Sequence, residues 1–165
     1  MQIRDENPSD GPEIRALTDA AFAPVAYSDG SEGAIVDGLR AGDALHISLV
    51  AAEGADIVGH VAFSPVSIGA VKTGWFGLGP VSVAVSRQKT GIGSALINAG
   101  LERLRDQGAA GVVVLGDPAY YSRFGFESVE TVWYGDAPSP YFQRLVLNGP
   151  DAQGQAAYHA AFGDS

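Results

Sequence analysis

The chain has 165 residues, 46% of them hydrophobic, and a formal net charge of −9, which fits one domain with a buried core and excludes a disordered composition. Such acidity argues against nucleic acid and anionic membrane as partners and suits cations, amines among them, although it also serves solubility alone. Cysteine is absent, His46, His60 and His159 lack metal-ligand spacing, and no signal-peptide pattern or long apolar run occurs, so the expectation is a cytoplasmic protein without disulfides, a metal site or a cysteine nucleophile.

In chain order, a short strand is expected around Ile3. Asp10 and Glu13 have capping-box spacing, Pro12 suits a first turn, and Ile14, Leu17 and Ala21 repeat at helical spacing, so residues 11–22 read as a helix. Residues 23–31 are a loop, and 32–40 a second short helix with Ile35, Val36 and Leu39 on one face. Residues 46–53 and 56–68 are β-branched and apolar around a turn at Glu53–Asp56, the pattern of a hairpin. His60 and Ser64 share a face of its second strand with Ala62, and a structural role is the stronger reading for both. A third strand, 74–85, holds Gly77, Gly79 and Pro80 and is expected to break or bulge before Val81. Gly91–Gln107 is the clearest helix, with Ile97, Leu101 and Leu104 on one face and Gly108 as its stop. Residues 111–116 are a buried strand, 118–124 a short helix before Gly125, and 141–147 a late strand, with another near Tyr158 and a loose tail of about ten residues. This order specifies a single mixed α/β (α+β) domain over residues 1–165, with antiparallel and parallel strands.

Residues 86–96 read SRQKTGIGSAL. Gly91 and Gly93 stand where a strand becomes a helix, and Arg87 and Lys89 concentrate two of the chain's ten positive charges. A helix N-terminus offers unpaired N–H groups and partial positive charge, and glycine lets a backbone approach a ligand, so the stretch suits a phosphate. It also reads as a glycine-rich helix entry with solvated basic residues. A dinucleotide fingerprint requires glycine where Leu96 stands, and no GxxxxGK[ST] occurs. Ser86-x-x-Lys89 and Lys72-Thr73-Gly74 match penicillin-recognising signatures, but in the wrong order and with no S-D-N between them.

Gln88-x-x-Gly91-x-Gly93, preceded by Val81-Ser82-Val83, resembles the acyl-CoA pyrophosphate loop of the GNAT N-acetyltransferase superfamily. About thirty residues later, Tyr121-x-x-x-Gly125-Phe126 within GDPAYYSRFGFE resembles that superfamily's Tyr-x-x-x-Gly-Phe segment. IRDENPSD, LVAAEG…IVGHVAFSPV and LGDPAYY extend the likeness over nearly the whole chain, toward the YhbS-like branch. The chain departs from the pattern at Val85, where proline is usual, at Arg87, often aromatic, and at Thr90, commonly basic.

The resemblance implies a sheet splayed at an acyl-CoA site near Gly79-Pro80, acetyl-CoA as donor, and acetyl transfer to a primary amine by direct attack in a ternary complex. It implies that backbone groups of Val81 and Val83 hold the pantetheine arm, with the Val83 N–H as oxyanion donor. Amides of Gln88, Lys89, Thr90, Gly91, Ile92 and Gly93 would take the pyrophosphate, helped by Arg87 or Lys89 and the Ser94 hydroxyl. Tyr121 is implied as the acid for the departing thiolate, protonated at neutral pH because a phenol titrates near ~10; Tyr120 is expected to pack. Glu32 borders the acceptor site by resemblance and is the candidate base, beside a water chain or a plain first-turn glutamate favoured by the helix dipole. Residues 64–77 and 135–140 are candidates to shape the acceptor site; transfer of a longer acyl group is a third reading, left open, for which Trp75 and Phe76 near the pantetheine strand are candidates to limit pocket depth. The acceptor is a small-molecule or protein amine and the assembly a monomer or homodimer; the competing reading is a non-catalytic CoA-binding module.

Overall fold

A computed structural model describes residues 1–163. Its elements are β1 (Gln2–Asp5), α1 (Gly11–Phe22), α2 (Glu32–Ala41), β2 (Ile47–Glu53), β3 (Asp56–Ile68), β4 (Val71–Val83), α3 (Ile92–Asp106), β5 (Gly111–Leu115), α4 (Pro118–Tyr121), β6 (Val132–Trp133), β7 (Phe142–Val146) and β8 (Gly154–Ala157). The hydrogen-bonded strand order is β1-β2-β3-β4-β5-β7, with β8 pairing β3 and β6. β1, β2 and β3 pair antiparallel, as do β5 and β7, while β4 and β5 run parallel over Trp75–Gly77 and Gly111–Val113. The expected mixed sheet with flanking helices therefore forms.

The chain divides into two compact units, Met1–Phe63 with Gly79–Leu101, and Ser64–Leu78 with Glu102 onward. In the first, the apolar stripes of α1 and α2 close over the sheet: Ile14, Leu17, Val36, Val50 and Ile57 form one cluster. Burying such faces is the main favourable term in folding. In the second unit, Val66, Ile68, Trp75, Val113, Val132, Phe142 and Ala156 form the core, with Tyr134 and Tyr158 packed against it. Trp75 therefore serves as a core side chain, its ring lying so close to Gly111 that a Cβ there would come within 2.4 Å of it; this overturns the expectation that it limits acyl length.

Three local readings change. Asp10 and Glu13 form no capping box. Asp10 turns back to accept from the Asn7 N–H at 2.6 Å and pairs with Arg4 at 2.8 Å, while Glu13 accepts from the Ile57 N–H at 2.7 Å. β4 runs as one strand to Val83 rather than breaking, and the irregularity expected before Val81 is confined to Gly79, with φ of +127°. The strand expected near Tyr158 forms as β8, pairing with β3 and β6, and the tail beyond it, expected to be loose, holds a 3-10 turn at Ala160–Phe162; residues 164–165 lie outside the described ones. Residues 64–77 form the distal part of the β3–β4 hairpin, and β6, two residues long, carried no sequence signal.

α3 lies unusually close to β3. A Cβ on Gly59 would stand 2.8 Å from Ile92 Cγ2 and 2.9 Å from Leu96 Cδ1, and one on Gly100 only 2.2 Å from the Phe63 ring. Gly→Ala inside a helix ordinarily stabilises by up to ~1 kcal/mol. Here the ring reverses the sign: Gly100→Ala is expected to destabilise by about 1–3 kcal/mol, the usual cost of overpacking. Urea unfolding checks this, and a raised midpoint would show that α3 is not seated this tightly.

Candidate functional site

The β4–α3 connection is the stretch whose sequence suits a phosphate, and its geometry follows from a few local bonds. β4 ends at Val83, and the Ala84 N–H donates to the Val58 carbonyl at 2.9 Å, holding the strand end on β3. A 3-10 turn follows at Val85–Arg87, closed by the Arg87 N–H on the Ala84 carbonyl at 2.7 Å. Lys89 (φ +65°) and Gly91 (φ +90°) then take left-handed conformations, which turn the chain sharply into α3. Glycine removes the strain at the second of these. The Gly91 carbonyl accepts the Ala95 N–H at 3.0 Å, so Gly91 occupies the cap position of α3.

Side chains brace this loop from within. Gln88 Nε2 donates to the Val83 carbonyl at 3.2 Å, and the Thr90 hydroxyl donates to the Arg87 carbonyl. Arg87 pairs with Glu53 at the end of β2, 3.0 Å away. Lys89 is exposed, Ile92 is buried, and Gly93 and Ser94 are half-buried in the first turn of α3. A Cβ built on Gly91 meets no other atom within 4 Å, so that position faces open space. The loop thus fits an anion: first-turn N–H groups that the helix itself leaves unpaired, a local positive end and an open approach. Val81 and Val83 are half-buried on β4, with Ser82 buried between them and its hydroxyl donating to Thr18 of α1 at 3.3 Å.

Glu32 opens α2, half-buried, and accepts a hydrogen bond from the Ser28 hydroxyl at 2.6 Å. Val81, Val83, residues 87–94 and Glu32 all belong to the first unit; Tyr121 belongs to the second. There it closes the one-turn α4, whose start is capped by Asp117 accepting from the Ala119 N–H at 2.9 Å. Its half-buried ring sits edge-on to Tyr120 at 5.0 Å and to Phe126 at 6.0 Å. Tyr120 packs as expected, against Phe124 at 5.5 Å and beneath the Arg123 guanidinium at 4.3 Å.

Sequence reasoning missed a buried polar network in the first unit. Arg40 of α2 grips Glu6 through two nitrogens, each 2.9 Å from a carboxylate oxygen. The Ser48 hydroxyl donates to Glu6 and lies 2.8 Å from Nε2 of His60, which is fully buried. These residues are of the types used in a nucleophile–base–acid set, but in the wrong arrangement. With the serine proton on Glu6, His60 must donate through Nε2, and its buried Nδ1 has no hydrogen-bond partner to orient it. A cleft of about 240 Å³ opens here, lined by Glu6, Arg40, Asp43 and Ser48 among others. Glu6, Arg40, Ser48 and His60 are bonded to one another in an order that leaves no serine–base pair, so we read the network as structural and the β4–α3 loop as the candidate site.

Burial pushes the His60 imidazole down to about 4, against the opposing charge of Glu6 and helped by that of Arg40. Burial alone would raise the Glu6 carboxyl, but hydrogen bonds from Arg40 and Ser48, with the Arg40 charge, outweigh it and hold it below the usual range. Since the histidine value falls from 6.5 to about 4 on folding, the unfolded chain binds more protons between those limits. His60 therefore contributes its full stability above pH 6.5 and loses it as pH falls toward 4, in all about 3 kcal/mol. Denaturation midpoints across that window should fall less steeply in His60→Gln than in the wild type; parallel slopes would contradict the assignment.

Comparison with known proteins bears on both motifs. Residues 2–129 match the family model described as an acetyltransferase (GNAT) domain. The chain is 37% identical to Escherichia coli YhbS, named as an uncharacterized N-acetyltransferase, over 98% of each chain. Among solved structures, it is similar to a GNAT family acetyltransferase from Brucella melitensis in complex with acetyl-CoA (53% identity, TM-score 0.88, covering 98% of this chain and 97% of that one). It is likewise similar to E. coli YhbS in complex with CoA (34% identity, TM-score 0.87, covering 99% and 92%).

Proposed function

From this chain's membership of the GNAT acetyltransferase family, we propose that it moves the acetyl group of acetyl-CoA to a primary amine by direct attack, in the cytoplasm, with residues 1–165 acting as one catalytic domain. One observation carries the reading: a braced loop with open space at Gly91 leads into the N-terminus of α3, in a chain 53% identical to a relative crystallised with acetyl-CoA. The pyrophosphate is assigned to the amides of Gln88–Gly93, with Arg87, Lys89 and Ser94 alongside. Backbone groups of Val81 and Val83 are assigned to the pantetheine arm. The net charge of −9 favours acceptors that arrive as ammonium ions.

In the step itself, the bound ammonium first releases a proton to solvent, and the resulting neutral amine attacks the thioester carbonyl, forming a C–N bond and an oxyanion for which the Val83 N–H is the assigned donor. Collapse breaks the C–S bond, and the thiolate takes the Tyr121 hydroxyl proton. The nitrogen's surplus proton passes to Glu32, directly or through water, and solvent reprotonates the tyrosinate. The absence of cysteine removes an acyl-cysteine route and supports direct transfer.

An amine panel with acetyl-CoA tests the whole reading. Tyr121→Phe is expected to lower kcat on the order of 10²-fold while leaving acetyl-CoA affinity in place, and Glu32→Gln to lower kcat/KM for the amine. Full activity in the tyrosine variant removes the acid role, and an unchanged Glu32→Gln leaves the proton to water. Tight acetyl-CoA binding with no transfer to any amine indicates the alternative, a CoA-binding module without turnover.

A further inference from the structure

We propose that Gly116 is a positioning residue for Tyr121: the missing side chain at the end of β5 is the seat in which the tyrosine ring is held. The proposal rests on the reading of Tyr121 as the acid. A Cβ built on Gly116 would stand 2.4 Å from Cε2 of Tyr121, 3.0 Å from Cδ2 and 3.5 Å from Cζ. Carbon atoms in contact settle at about 3.5–4.0 Å, so an added methyl and the ring exclude each other. Backbone conformation supplies no other reason for glycine here, because Gly116 is not among the positive-φ residues.

Neither partner has an easy retreat. The Gly116 N–H donates to the Tyr141 carbonyl at 2.9 Å, and its carbonyl accepts from Nε2 of the buried Gln143 at 3.2 Å. The next residue, Asp117, anchors α4, its carbonyl accepting the Tyr121 N–H at 3.0 Å. On its other sides the Tyr121 ring meets Tyr120, Phe124 and Phe126, with centroids 5.0, 6.3 and 6.0 Å away. A methyl group at 116 therefore swings the ring and carries its hydroxyl with it. A displacement of about 1 Å in a reacting group costs up to about 10²-fold in rate.

The test is a double-mutant cycle on thiol release from acetyl-CoA, measured with and without spermidine, with acetyl-CoA affinity followed by calorimetry. Gly116→Ala is expected to lower kcat by about 10- to 100-fold with affinity kept within about twofold, and to change the rate of Tyr121→Phe by less than about twofold. Wild-type kcat in Gly116→Ala, or the same fold loss in both backgrounds, overturns the positioning role while leaving the acid in place. Full activity of Tyr121→Phe, or no thiol release from the wild type with spermidine or any other amine of the panel, overturns the acid reading and this proposal with it. Should Gly116→Ala fold poorly, Tyr121→Ala decides, since it removes the ring. Gly116→Ala is then expected to leave the melting temperature of Tyr121→Ala unchanged, and a further drop would show that the glycine does not serve the ring.

Discussion

The first turn of α3 rests on β3 with only Gly59 beneath it, so Ile92 and Leu96 approach a bare strand backbone. That contact determines where the N-terminus of α3 ends up, and with it the direction of the N–H groups that follow the Lys89–Gly91 turn. A larger residue at 59 would lift the helix off the strand, because close-packed interiors have no slack to absorb it. The next residue along, His60, points to the opposite face by strand alternation. There it is tied through Ser48 and Glu6 to Arg40 of α2. One short piece of β3 thus carries a helix on one side and a buried polar chain on the other. The β4–α3 loop is anchored beside this piece of β3 by the Ala84 N–H on the Val58 carbonyl.

The most charged part of the first unit reads as structural for a physical reason. Glu6, Arg40, Ser48 and His60 are paired with one another, and removing any of them strands a buried charge or dipole. The β4–α3 loop is built the other way round. Its side chains, Gln88 and Thr90, turn inward to backbone carbonyls. A helix start carries N–H groups that its own hydrogen-bond ladder does not use, the kind of donor an anion needs. In the second unit, the Tyr121 ring, proposed as the acid, is packed against Tyr120, Phe124 and Phe126 rather than tied into a charged network.

Much of this was legible in the sequence because it is local. The apolar spacing of Ile14, Leu17 and Ala21 and of Ile97, Leu101 and Leu104 marked α1 and α3, and β-branched runs marked β2 and β3. Gly91 and Gly93 stood out by their spacing at a strand-to-helix turn, of which the left-handed conformation requires only Gly91. The errors arose where long-range partners decide. Glu13 has the right spacing for a cap, yet an N–H of β3 claims it, and Asp10 is drawn to Arg4. Trp75 lies on the same strand as Val81 and Val83 but faces the core. Gly59, Gly100 and Gly116 look like ordinary glycines until the side chains opposite are known. The Arg87–Glu53 pair joins residues far apart in the chain, with no periodicity to announce it.

The central claim is that the β4–α3 loop binds the donor through its backbone. Calorimetric titration of acetyl-CoA into the wild type and into Gly91→Glu tests it directly. The account predicts saturable binding by the wild type and its loss in the variant, where a carboxylate enters the open space over the amides and the left-handed turn is strained. No binding by the wild type, or equal binding by both, would mean that the glycines only start a helix and that the donor site lies elsewhere.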